Sequence, residues 1–285
     1  MPNVIELRKN YASLLDEVYK MSALTAVLDG PSELVRDGAN ANEILIPKMS
    51  MQGLANYDKA KGYVAGDVTL QWETRKCEYD RGRMFNVDAE DNIETAGIAF
   101  GRLAGEFERT MVVPELDAYR LAAYATKAGT KVNADLKTGE ETLKALQVAK
   151  KTVKDAEVNT AECVLFISMG AKEDIDGLDT IKSRKVMEGW ASVVEVPSGR
   201  FYDAITLTAG EAGGFTHESG NAINFMIVPK SAVVQFQKHA VPKIITPEQN
   251  QDADAWKFGY RNIGIADVLD NKKAGIYVHT AARIL

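Results

Sequence analysis

Residues that usually carry chemistry are scarce in this 285-residue chain. There are two cysteines, Cys77 and Cys163, far apart and in no CxxC or other ligand spacing. That spacing argues against a disulfide framework or a cysteine zinc site and makes a reducing cytosolic origin the default. None of the three histidines, His217, His239 and His279, falls in an HExxH or similar arrangement, so structural or surface roles are expected of them. There is no G-x-S-x-G elbow, no phosphate loop and no GxGxxG after a strand. No apolar run approaches the ~20 residues needed to cross a bilayer. The opening MPNVIELRKNYASLLDEVYK is amphipathic and mixed in charge, without a signal-peptide core. The expectation is a soluble, non-secreted protein.

A strong charge of one sign is also missing. The net charge is −6, and no lysine-arginine cluster reaches the size of a nucleic-acid footprint. A container that must not stick to a DNA cargo would show the same balance, so charge does not separate these cases. Two near-motifs fall short. Gly210–Gly214 is glycine-rich but lacks the lysine and helix start of a phosphate site, and reads as a surface loop. Asp174, Asp176 and Asp179 lie in KEDIDGLDT, which lacks the full calcium-loop pattern and its bidentate glutamate. Acid–base catalysis needs two carboxylates brought together in a cleft, which spacing alone does not place. No catalytic residue, cofactor or metal site is assigned.

What is present is ordinary folding material: 46% apolar and 26% charged residues, enough for one large or two intimately joined domains. Residues 3–29 show a rough helical period through Ile5, Leu14, Leu15, Val18 and Leu24, stopped by Gly30-Pro31. Ser32–Ala41 reads as an arm or linker.

The most informative stretch runs from Asn42 to Gly129. Two polar arms, NEILIPKMSMQGLANYD and GDVTLQWETRKCEYDRGRMFNVD, form a long hairpin. Pro47 marks an edge position or bulge, Val68, Leu70 and Trp72 share one face, and a slip in phase predicts a bulge or bend near Thr74. The hairpin feeds a helix from Asp91 or Asn92, with Glu94 in its first turn. Ile93, Phe100, Leu103, Phe107 and Met111 form its buried stripe, with a kink or new segment at Pro114 and a cap at Gly129. About 37 residues at ~1.5 Å each make a rod of roughly 55 Å. Gly97, Gly101 and Gly105 recur every fourth residue along it, allowing another backbone to approach closely. Charges on that face exclude a membrane-dimer reading.

Beyond Gly129, Thr138 and Glu141 make a capping box for a helix through Asn159 with Leu143, Leu146, Val153 and Ala156 inward. CVLFISMG, Val193–Val196 and Asn224–Val228 read as strands, Ser231–Gln237 as a short helix, and Gly259–Val268 and Gly275–His279 as strands joined by a turn at Asp270–Lys273.

An isolated two-stranded ribbon is marginal in water, so the hairpin is expected to be covered by neighbouring copies of the chain. Tyr57, Lys59 and Lys61 at the tip, with Trp72, Glu73, Arg75, Arg81 and Arg83 on the returning arm, are the candidate inter-subunit contacts. Their alternating charges would set register and specificity.

In this order, the elements resemble the major capsid proteins of tailed bacteriophages with the Hong Kong 97-type fold, over nearly the whole length. The resemblance is carried by ILIPKMSMQGLANYD, YVAGDVTLQWETRKCEYDRGRMFNVDAEDN, VVPELDAYRLAAYA, VVEVPSGRFYDAI and the tail from IITPEQNQDADAWKFGYR to AGIYVH. It implies an α+β fold with an N-terminal arm (1–41), an extended β-hairpin loop (42–90), a peripheral domain with a long spine helix (91–129), an axial domain (130–240) and a return to the peripheral domain (241–285). It also implies self-assembly as pentamers and hexamers into an icosahedral virion shell, built in the host cytoplasm around double-stranded DNA that is not read by sequence. Catalysis, cofactor and membrane have no place in that reading.

Some members of the family begin with a large scaffolding segment that is later cut away. Residues 1–41 leave no room for one, so the expectation is a separate scaffolding protein, or an already processed chain, alongside a portal. Some members cross-link a loop lysine to a neighbour's asparagine. Lys59 and Lys61 lie near the tip, but no feature identifies the asparagine or the activating acid, and cross-linking is not expected. Two alternatives stand beside the capsid. One is an encapsulin-like nanocompartment sharing the fold; the other is a soluble oligomeric enzyme or ligand-binding protein using the hairpin as a dimerisation arm.

Overall fold

The computed structural model describes residues 23–29, 36–37, 43–57, 59, 62–89, 103 and 105–282. Its centre is a five-stranded mixed sheet of β5 (Thr130–Asn133), β6 (Cys163–Ser168), β7 (Ser192–Val196), β10 (Ile223–Pro229) and β13 (Tyr277–Thr280), in the order β5-β13-β10-β6-β7. β10 runs antiparallel to both β13 and β6, while the outer pairs β13–β5 and β6–β7 are parallel. CVLFIS is apolar without alternation because β6 is covered on both faces.

On one face, Leu146 and Val153 of α2 (Gly139–Asp155), Ile175 of α3 (Met169–Asp176) and Val186 of α4 (Ile181–Met187) pack on Leu165, Ile167, Phe225 and Ile227. On the other, Leu121, Tyr124 and Ala125 of α1 (Val113–Lys127) meet Val164, Phe166, Met226 and Val228. Each fully buried side chain of this kind contributes roughly 1.5–3 kcal/mol.

Local sequence sets the helix starts. The Thr138 hydroxyl accepts from the Glu141 amide, Ser168 accepts from Ala171, and Thr180 and Ser183 form a reciprocal box. The Glu141 carboxylate accepts from the Lys137 amide at 2.8 Å, one residue earlier than a strict capping box.

The second sheet is antiparallel, with β12 (Ala255–Val268) between β11 (Val233–Ile245) and β4 (Tyr79–Asp88). Phe258 and Tyr260 on one face of β12 pack with Phe85, Phe107 and Val112, while Ile263 and Ile265 on the other meet Ile44, Ile46 and Cys77 below the hairpin. Ser231–Gln237 is therefore not a helix: Lys230–Ala232 is a single 3-10 turn, and Val233 onward is strand. Pairing along β12 engages one edge of a Val-Val-x-Phe segment that suits a pleated surface.

Several other expectations change. Leu24–Leu28 is a 3-10 turn, not the end of an α-helix, and the rest of 3–22 lies outside the described residues. The arm read at Ser32–Ala41 includes a short strand, β1 (Arg36–Asp37), paired with β2 (Glu43–Met51). β2 pairs with β3 (Val68–Lys76) in unbroken register from Met51 opposite Val68 to Glu43 opposite Lys76, so no bulge occurs at Thr74. The change of phase comes at Cys77-Glu78, where the chain leaves the hairpin sheet and enters the second sheet as β4. The stretch 241–285 divides: β12 joins the second sheet, but β13 closes the central one. The turn before it is the 3-10 segment Asp270–Gly275.

The long helix is described from its second half. A π-helical turn at Glu108–Val112 runs into α1, with Pro114 in the first turn of the α-helix. Proline there lacks the N–H that a regular ladder would use, and the wider turn absorbs the mismatch. Leu103 and Phe107 pack inward as expected, but Met111 is 62% exposed, because the π turn rotates it off the stripe. Ile93, Phe100 and the Asp91–Asn92 start lie outside the described residues. α1 ends at Lys127 with Ala128 as its extended cap residue, and Gly129 is not a left-handed cap. A Cβ at Gly129 would collide with the Lys273 carbonyl, so close backbone approach requires the glycine.

Candidate assembly interface

Leu54 at the tip of the β2–β3 hairpin is fully exposed, and Met51, Tyr57, Tyr63, Val64, Val68, Leu70 and Trp72 are exposed with it. These eight stand against five other large exposed apolar residues, Met84, Met111, Val148, Met169 and Ile181, among the described residues. Concentration of apolar surface on one ribbon marks an interaction site. At the tip, Tyr57 and Tyr63 pack edge to face with ring centres 4.9 Å apart, which presets their geometry. Lys59 lies in the turn beside them, and Lys61 lies outside the described residues.

The base of the ribbon is tied down within the chain. Arg75 reaches Glu73 at 3.2 Å, Asp267 at 3.0 Å and Asp270 at 3.2 Å, joining β3 to the end of β12. Burial works to lower the Arg75 guanidinium, but the surrounding carboxylates leave it raised. Arg81 forks onto Glu115 at 2.9 and 3.2 Å and donates to the Thr208 and Gly214 carbonyls. The bond to Glu115 raises the Arg81 guanidinium. Arg83 donates to the Gly210 and Glu211 carbonyls. Charges expected to face a neighbour thus have intrachain partners at Glu73, Arg75, Arg81 and Arg83. Sequence alternation could not distinguish the two, because folding brings β4 against Glu115 and the 208–214 loop. Trp72 and Tyr57 remain exposed apolar surface.

Of the helix glycines, Gly97 and Gly101 lie outside the described residues. A Cβ at Gly105 would meet nothing within 4 Å among the described residues. The Gly210–Gly214 loop has left-handed backbone at Gly210, Gly213 and Gly214, and its carbonyls serve the two arginines. Asp176 and Asp179 pair with Lys172 and Arg184. No cluster of three metal-ligating side chains occurs among the described residues, and no described helix is long and apolar enough to cross a membrane. His279 is buried, stacked on Phe225 at 5.0 Å and hydrogen-bonded through Nδ1 to Asn224. His217 stacks on Tyr202 at 4.1 Å, and His239 lies on β11 opposite Ile263.

Two features had no sequence signal. Asp117, fully buried on α1, accepts from the Leu24 and Thr25 amides at 3.0 and 3.1 Å and from the Thr25 hydroxyl at 2.7 Å. Arg120 donates to Thr25, and Gln235 to the Thr25 carbonyl, so the segment at 24–29 is latched to α1 and β11. Burial pushes the Asp117 carboxyl up, and its donors with Arg120 pull it back. The second feature is a cleft of about 800 Å³ between β4, the π turn and the 210–214 loop, with Asn262 of β12 in its wall.

No protein-family model matches the sequence, and no curated protein does. Solved structures do match. The chain is similar to the capsid structure of cyanophage P-SCSP1u at 11% identity, covering 87% of this chain and 86% of that one, with a TM-score of 0.61. Gordonia phage Cozz gives 13% identity over 92% and 87%, with a TM-score of 0.61. A virus-like particle from Pyrococcus furiosus gives 8% identity over 96% and 99%, with a TM-score of 0.55. The fold is α+β and is that of phage capsid subunits, the Hong Kong 97 type.

Proposed function

We propose that this chain is the major capsid protein of a tailed bacteriophage. It assembles as pentamers and hexamers into an icosahedral shell around double-stranded DNA, with a separate scaffolding protein and a portal as partners. In this reading residues 1–41 are an arm, 42–90 an extended loop and 91–129 the peripheral spine. The five-stranded sheet is the axial core, and it takes in β13. The observation that carries the proposal is the ribbon of exposed apolar residues from Met51 to Trp72, held at its base by Arg75. Packing of identical subunits would bury that surface, and shell formation requires no catalytic group.

Expression of the chain, alone and with its neighbouring genes, followed by negative-stain electron microscopy, tests this. Closed particles tens of nanometres across are expected, and a uniform monomer or dimer under every condition would refute the proposal. The contents separate a DNA capsid from an encapsulin-like compartment, which would hold an enzyme. Particles formed only with a partner gene identify an external scaffold.

A further inference from the structure

Asn262 is 1% exposed, and neither the nitrogen nor the oxygen of its carboxamide has a hydrogen-bond partner among the described residues. Native proteins rarely leave a buried polar group unbonded, and each such case needs a reason. Asn262 lines the cleft of about 800 Å³, a volume within the roughly 300–1,000 Å³ of small-molecule sites. The walls around it are aromatic. Phe85 and Phe107 meet edge to face with ring centres 4.8 Å apart, Phe107 and Tyr260 do so at 6.2 Å, and Phe215 joins them from the 206–216 hairpin. Two cations border the cleft, and both are engaged: Arg81 bonds Glu115, and Arg83 bonds loop carbonyls.

A carboxamide presents a donor and an acceptor side by side. An inorganic anion would satisfy only the nitrogen and a metal cation only the oxygen. A peptide would satisfy both, but it would bring further amides and carbonyls among rings that cannot bond them, which is costly. A flat heteroaromatic ring with a donor and an acceptor on neighbouring edge atoms meets the carboxamide at two points and offers its faces to the aromatic walls. That is the chemistry of a nucleobase. Asparagine bonds adenine in this two-point manner, and aromatic side chains stack on bases. Because the bordering arginines are committed, a phosphate would gain no partner here.

We propose that the cleft is a binding site for a neutral nucleobase or nucleoside. The ring enters edge-on as the walls part, pairs with Asn262 through its polar edge and packs against Phe85, Phe107 and Tyr260. Asn262 thereby selects rings that carry a donor next to an acceptor over purely apolar ones.

The test uses purified, unassembled full-length chain and 2-aminopurine, a fluorescent purine whose amino group and neighbouring ring nitrogen match the carboxamide. Saturable quenching of the 2-aminopurine fluorescence is expected. Asn262→Leu is expected to weaken binding at least tenfold while leaving the subunit's melting temperature unchanged or higher, since an apolar replacement removes an unbonded polar group. Naphthalene, equally flat but without a polar edge, is expected to bind the wild type and Asn262→Leu alike. The 5′-monophosphate of 2-aminopurine riboside is expected to bind no more tightly than the riboside. A wild-type chain that leaves the fluorescence unchanged would overturn the proposal. Undiminished 2-aminopurine binding by Asn262→Leu would also overturn it, reducing the site to an apolar cleft. Loss of naphthalene binding in that variant, or a lowered melting temperature, would assign Asn262 to internal packing, again against the proposal. A monophosphate bound tenfold more tightly than the riboside would overturn the neutral ligand class. None of these outcomes depends on whether the chain forms shells.

Discussion

Asp117 shows how much one side chain can organise. Its carboxylate accepts from Leu24 and Thr25 in a site with no exposure, and Arg200 and Arg120 stand close by. Removing one member of such a buried charged network costs about 3–5 kcal/mol, because the remaining groups stay buried and uncompensated. Asp117→Ala is expected to destabilise the subunit by that order in a urea titration, and to expose the 24–29 segment to limited proteolysis before global unfolding.

His279 gives a pH dependence. Burial lowers its imidazole from the ordinary value of about 6.5, so the folded state holds it neutral. The folded state then binds fewer protons than the unfolded one. The stability from this group is present above about pH 6.5 and is lost as pH falls through the folded value. Melting temperatures of wild type and His279→Gln, compared at pH 7.5 and pH 5, should show the wild type losing more on acidification. Equal losses would mean that His279 does not couple to folding.

At the scale of elements, the hairpin, the α2 helix with its Thr138 cap, the all-apolar β6 and the inward Phe107 were legible, because period, capping residues and burial agree locally. Ser231–Gln237 was not: its residues tolerate a helix, and only the β12 edge, more than twenty positions later, makes them strand. The supposed bulge at Thr74 failed for a related reason, since a change of sheet and a change of face look alike in a one-dimensional pattern. The hairpin itself carries a prediction. Deleting Asn56–Gly66 removes surface that is exposed among the described residues, so the subunit should keep its circular dichroism and melting temperature. Closed particles should disappear in electron micrographs. Intact shells from the deletion would take the assembly role away from the tip.

For the whole molecule, α1 lies between two sheets and is shared by both cores, with Leu121 and Tyr124 against the central sheet and Val112 and Phe107, just ahead of it, against the second. The chain crosses between the sheets repeatedly, through β4, β11 and β13, so the two halves fold as partners.

Sequence by itself determined the ribbon, the helix through Val113–Lys127, the buried central strand and the scarcity of catalytic groups, because alternation, capping and residue supply are local properties. Tertiary structure alone decided which charges pair. Arg75, Arg81 and Arg83 found Asp267, Glu115 and loop carbonyls instead of solvent, and the buried Asn262 carboxamide has no hydrogen-bond partner among the described residues. Those outcomes depend on distances between strands remote in sequence, and no pattern along the chain encodes such distances.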